Sequence, residues 1–123
     1  MKKLITLLLM SFFVFGCGHI PANNNEKIFS PKNLLIDVRT PMEFQQGHLK
    51  KAVNIPLNKI KEDIKYFAPD KKRTVIVYCL SGKRAEIAAK ELKDLGYNNV
   101  INAGKYMELK KIEEKRSMPD HAK

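Results

Sequence analysis

The sequence predicts an α/β domain with a central parallel β-sheet and helices on both faces. Short apolar runs, Leu34 to Val38 and Thr74 to Tyr78, alternate with stretches whose apolar residues recur at helical spacing. That alternation is the signature of parallel strands joined by helical crossovers. The runs are apolar at consecutive positions, as strands covered on both faces are. A chain of 123 residues has room for one domain with a modest core. Residues 33–117 hold that domain, 18–32 form a linker and 118–123 a tail.

Residues 1–17 read as a signal peptide: Lys2 and Lys3, then Leu4 to Phe15 almost without polar side chains, then small residues from Gly16 to Gly18. The apolar run falls short of the roughly 20 residues of a spanning helix, so removal and export to the cell envelope or periplasm are expected. Val14-Phe15-Gly16-Cys17 resembles the lipobox of bacterial lipoproteins, in which the cysteine is acylated and becomes the new N-terminus. Cys17 is therefore the expected lipid attachment site and membrane anchor. Phe15 departs from the usual residue, which leaves ordinary secretion as the alternative. In the linker, Pro21, Asn23 to Asn25 and Ser30 are turn formers with little to bury, and Ile28 and Phe29 are free to dock on the domain.

Leu34 to Val38 is the first strand of the domain, with Asp37 and Arg39 as a strand-end pair. Thr40-Pro41-Met42-Glu43 starts a short helix: Thr40 caps it, Pro41 takes the first helical position, and Glu43 reaches back as in a capping box. Gly47 ends it. Lys50 to Pro56 should hold a short central strand around Val53. Ile60, Ile64 and Phe67 then recur at helical spacing between lysines, giving an amphipathic helix capped by Asn58 and stopped by Ala68-Pro69-Asp70. Thr74 to Tyr78 forms the next strand. Ala85, Ala88, Ala89, Leu92 and Leu95 mark one face of a helix that Gly96 terminates. Val100-Ile101 is the last strand and Glu108 to Arg116 an exposed helix.

The chemistry is concentrated at Cys79, which leaves the end of a strand and enters the turn Leu80-Ser81-Gly82 that opens a helix at Lys83-Arg84. The first turn of a helix offers free N–H groups and a partial positive charge to an anion. Lys83 and Arg84 add full charge and favour the thiolate, the form that attacks. Gly82 allows the tight bend. The competing reading is a buried strand-end cysteine, since free cysteine is among the most buried residue types. The spacing C-x-x-G-x-R is one residue shorter than the C-x5-R of cysteine phosphatases, so the ring of donors suits a smaller sulfur species better than a phosphate ester.

These features, with Ile36-Asp37-Val38-Arg39, Glu43-Phe44, Gly47-His48-Leu49, Ala52-Val53-Asn54-Ile55-Pro56 and Asn102-Ala103-Gly104, occur in the order of one family. The chain resembles the single-domain rhodaneses, or thiosulfate sulfurtransferases, and among them the small exported phage-shock type. The resemblance implies a rhodanese-like fold and transfer of the sulfane sulfur of thiosulfate through a persulfide on Cys79, the catalytic residue. Leu80, Ser81, Gly82, Lys83 and Arg84 would bind the substrate, and a thiol or cyanide would accept the sulfur. It assigns Asp37, Arg39 and His48 to structure and Asn102-Ala103-Gly104 to a turn before the final helix. Ala85 stands where the family often has a serine, Lys51 where it usually has a glycine, and Lys105 in place of a frequent second glycine. Two alternatives stay open: a rhodanese-fold binding or sulfur-carrier module without turnover, and a small cysteine phosphatase or arsenate reductase.

The formal net charge is +10. Without Lys2 and Lys3 the chain keeps 21 basic against 13 acidic residues, about +8. Such a field attracts small anions and an anionic membrane surface. Nucleic acid is not an expected partner, because no aromatic-rich basic motif is present. No cluster at metal-ligand spacing appears, so neither metal nor organic cofactor is implied, and a monomer is expected. With Cys17 acylated, Cys79 has no disulfide partner and remains a functional thiol.

Overall fold

The computed structural model describes residues 22–119. The expected signal segment 1–17 with Cys17, residues 18–21 of the expected linker and residues 120–123 of the tail lie outside the described residues. In chain order the elements are α1 (Ala22–Ile28), β1 (Leu34–Asp37), α2 (Pro41–Gln45), β2 (Val53–Asn54), a 3-10 turn (Leu57–Lys59), α3 (Ile60–Phe67), β3 (Val75–Cys79), α4 (Lys83–Asp94), β4 (Val100–Lys105) and α5 (Tyr106–Ser117). The strands form one sheet in the order β2-β1-β3-β4, and every pair is parallel. The carboxyl ends of all four strands therefore lie at one end of the domain.

Strand side chains alternate between faces, so each strand feeds two cores. Leu34, Ile36 and Val38 with Val75, Val77 and Cys79 pack against Ile60 and Ile64 of α3 and Ala85, Ala88, Ala89 and Leu92 of α4. The intervening Leu35, Ile76 and Tyr78 pack with Leu49, with Ile28 of α1 and with Leu109 of α5. Every residue of β1 and β3 is buried. This is the predicted sheet with helices on both faces.

Five local expectations need correction. The strand around Val53 is an edge strand, because its two residues pair only with β1. Asn58 caps nothing: it lies in the 3-10 turn, where the Lys59 N–H donates to the Pro56 carbonyl at 2.8 Å, and α3 begins at Ile60 without a side-chain cap. Asn102-Ala103-Gly104 belongs to β4, with a bulge opposite Val77 and Tyr78 that takes up one extra residue. Within the stretch read as linker, residues 22–28 form α1, and burial of Ile28 against the sheet supplies the tertiary contact that its turn-forming neighbours do not foretell. The exposed final helix also buries Leu109 and Glu113.

At the end of β1 the buried Asp37 carboxylate receives the Arg39 backbone N–H at 2.9 Å, Nε at 3.0 Å and Nη2 at 2.7 Å. Arg39 Nη2 also donates to the Gly47 carbonyl at 2.6 Å, and its guanidinium lies 4.2 Å from the Tyr106 ring centre. Burial opposes the charge on Arg39, yet the bonds and charge of Asp37 leave it raised above its ordinary value. Removing one partner of such a buried pair strands the other. Asp37→Ala is therefore expected to lower stability by about 3–5 kcal/mol, measured by urea unfolding; a loss within the range of a surface substitution would show that the pair is not holding this corner.

Candidate functional site

β3 carries Cys79 to the carboxyl end of the sheet, where it pairs in register with Lys105. The chain then turns through Leu80, Ser81 and Gly82 into α4. Gly82 has φ +92°, a left-handed conformation that side chains with a Cβ adopt at a cost. A Cβ there would meet only ordinary contacts, the closest at 3.6 Å from Gly104 Cα. Glycine is thus required by backbone geometry rather than by space. This conformation points the Gly82 N–H at the sulfur, and the donor reaches Cys79 Sγ at 2.9 Å.

The turn is held from the other side. The Gly82 carbonyl accepts from the Glu86 N–H at 3.0 Å and from Asn102 Nδ2 at 3.3 Å. Asn102 Oδ1 in turn accepts the Gly104 N–H at 2.9 Å, which ties the bulge of β4 to the loop. No side chain caps α4. Its first N–H groups are left for an incoming anion.

Each predicted site residue has a distinct setting. Cys79 is a free cysteine with no solvent exposure, on the sheet face that packs against α3 and α4. The alternation that buries Val75 and Val77 buries it as well. Leu80 is half exposed, Ser81 and Lys83 are exposed, and the Lys83 N–H makes only a long 3.5 Å contact with Ser81 Oγ. Arg84 is engaged by a carboxylate. Its Nη1 and Nη2 donate to Glu43 Oε1 and Oε2 at 2.7 and 3.0 Å, a bidentate pair between α4 and α2. Among the described residues, no group of three His, Cys, Asp or Glu side chains is placed to hold a metal ion.

Sequence reasoning assigned Glu43 only to a cap, and the capping box is present: the Thr40 N–H donates to Oε1 at 3.2 Å and the Glu43 N–H donates to Thr40 Oγ1 at 3.3 Å. The same carboxylate positions Arg84, which lies 41 residues further on. Asn102, read as part of a turn, holds Gly82. His48 is structural: because a carbonyl only accepts, its Nδ1–H donates to Phe44 at 2.8 Å, and its ring stacks on Phe44.

The hydrogen bonds from Arg84 bring the Glu43 carboxyl down to about 2, against the opposing effect of partial burial. The Arg84 guanidinium is raised by the same bonds, and Cys79 contributes in the same direction.

A family model described as a rhodanese-like domain matches residues 21–108. The chain is 48% identical over 69 residues to thiosulfate sulfurtransferase PspE of Escherichia coli K12, an alignment covering 56% of this chain and 66% of that protein. It is 38% identical over 87 residues to a putative mitochondrial thiosulfate sulfurtransferase of Schizosaccharomyces pombe, covering 61% of each. Less than two thirds of either relative is spanned. A solved structure titled rhodanese with anions from E. coli superposes with a TM-score of 0.60 at 44% identity, over 61% of this chain and 88% of that one.

A carboxyl whose folded value lies below its unfolded value stabilises the fold above the unfolded value, and that contribution disappears as pH falls through the folded one. The stability difference between the unmodified protein and Glu43→Gln should therefore be full above the ordinary carboxyl value of 4.5 and shrink as pH falls toward about 2. Its plateau is expected near 1 kcal/mol, because the pair is partly exposed. Urea unfolding across that pH range reads it; a pH-independent difference would contradict the assignment.

Proposed function

This chain belongs to the rhodanese-like domain family, and from that premise we propose that it is a thiosulfate sulfurtransferase with Cys79 as the nucleophile. The observation that carries the reading is the Gly82 N–H held 2.9 Å from Cys79 Sγ at the uncapped start of α4. The identity to PspE and the E. coli rhodanese supports it.

In the first step the Cys79 thiolate attacks the outer sulfur of thiosulfate. A bond forms between the two sulfurs, the bond to the sulfonate sulfur breaks, and sulfite leaves with the electron pair. The terminal sulfur of the resulting persulfide carries the negative charge, within reach of the loop N–H groups from Leu80 to Arg84. Amide donors gathered around that position stabilise the charge. In the second step cyanide or a thiolate attacks that terminal sulfur, and the electron pair of the broken bond returns to Cys79.

Because Cys79 is fully buried, a donor touches Sγ only after the loop shifts. The hinge is short: Gly82 supplies the unusual φ, and the Glu43 pair and Asn102 keep the two flanks in place. Lys83, exposed at the mouth, attracts the dianion, and Arg84 lends charge from its fixed position. The burial of the thiol also favours a second reading, a carrier that is loaded once and protects its sulfur until a partner collects it. The sequence of residues 1–17 supports placing either activity in the cell envelope with a lipid on Cys17.

Thiosulfate-treated protein is expected to gain about 32 Da, one sulfur atom, and to turn over with cyanide, whereas Cys79→Ser gains nothing and does not turn over. Intact mass spectrometry and thiocyanate release measure the two. A full sulfur adduct on folded Cys79→Ser would end the mechanism, and loading without turnover would select the carrier. The same spectrum of protein from its native host reports acylation.

A further inference from the structure

The two ends of a parallel sheet are unlike, and the end opposite Cys79 has a feature that sulfur transfer does not use. Where β1, β2 and β3 begin, the ends of α1 and α5 leave a cavity of about 500 Å3. That volume lies within the roughly 300–1,000 Å3 of small-molecule sites. Its floor is apolar, with Ile28, Phe29, Leu34 and Leu35 contributing.

Around this floor stand Lys50, Lys51, Arg73 and Arg116. Among the described residues, none of the four is ion-paired to a carboxylate. Lys50 Nζ donates to Ser117 Oγ at 3.3 Å, Arg73 Nη1 to the Phe67 carbonyl at 3.1 Å, and Arg116 lies 5.3 Å from the Phe29 ring centre. The one acidic group in the lining, Glu113, is already engaged: it accepts the Lys50 N–H at 2.8 Å and Lys110 Nζ at 3.5 Å. The carbonyl end of α5 offsets only about half a charge. The cavity therefore combines an apolar floor with a surplus of positive charge.

We propose that this cavity binds a single-chain anionic amphiphile, its alkyl chain over Ile28, Phe29, Leu34 and Leu35 and its acidic head group among Lys50, Lys51, Arg73 and Arg116. An inorganic anion would satisfy the cations and leave the floor wet. A neutral apolar molecule would cover the floor and leave the cations unanswered. Only a ligand with both parts uses both features. A carboxylate and a phosphate monoester share the required head-group chemistry, and separate ligands distinguish them.

The test is calorimetric titration of the full chain with dodecanoate and, separately, dodecyl phosphate, each below its micelle concentration. Dodecyl maltoside and inorganic phosphate serve as comparisons. Saturable one-to-one binding of either anionic ligand is expected, weakened at least tenfold by the double variant Lys51→Glu, Arg116→Glu and unchanged by Lys65→Glu, Lys90→Glu on the other side of the sheet. The tighter of the two anionic ligands identifies the head group. Circular dichroism and thiosulfate-to-cyanide turnover of the variants confirm that fold and Cys79 are intact. Binding of dodecyl maltoside at equal strength, equal binding of inorganic phosphate, no saturable binding, or indifference to the Lys51 and Arg116 reversal would each overturn the proposal.

Discussion

The buried pair between Asp37 and Arg39 is the constraint on which the working end of this domain depends. Two charges without access to water are tolerated only when their bonding capacity is filled. Here the carboxylate takes the backbone and side-chain donors of Arg39, and the guanidinium also takes the Gly47 carbonyl and lies over Tyr106. The end of β1, the end of the α2 loop and the start of α5 are fixed to one another by that requirement. Among the described residues, no buried side-chain nitrogen or oxygen lacks a partner.

From this corner the order passes to the thiol. A fixed α2 presents Glu43, Glu43 holds Arg84, and Arg84 belongs to the first turn of the helix whose N-terminus faces the sulfur. On the other flank, the bulge of β4 places Asn102 to grip the Gly82 carbonyl. The loop is thus braced on both sides while its middle, Leu80 to Gly82, carries the left-handed turn. That bracing fixes the loop whose Gly82 N–H meets the sulfur at 2.9 Å.

What the sequence revealed follows from how local each signal is. The strand, turn and helix around Cys79 are contiguous, and the Thr40 capping box spans four residues, so both were legible. The second role of Glu43 was not, because its partner lies on another helix and charge spacing along the chain does not encode that approach. Asn58 looked like a cap until the 3-10 turn after Pro56 moved the helix start to Ile60. The helix at residues 22–28 runs against its turn-forming composition, and Ile28 shows why: tertiary burial outweighs weak local preference. The burial of Cys79 is legible in the period of two that puts it on the same face as Val75 and Val77.

In the proposed transfer, the loop amides receive the sulfur. A crystal structure of the protein after exposure to thiosulfate tests this directly. One additional atom bonded to Cys79 Sγ is predicted, lying within hydrogen-bond distance of N–H groups between Leu80 and Arg84, with Gly82 still left-handed. An unmodified thiol beneath a closed loop, or a sulfur adduct turned toward α3 and α4 without amide contact, would contradict it.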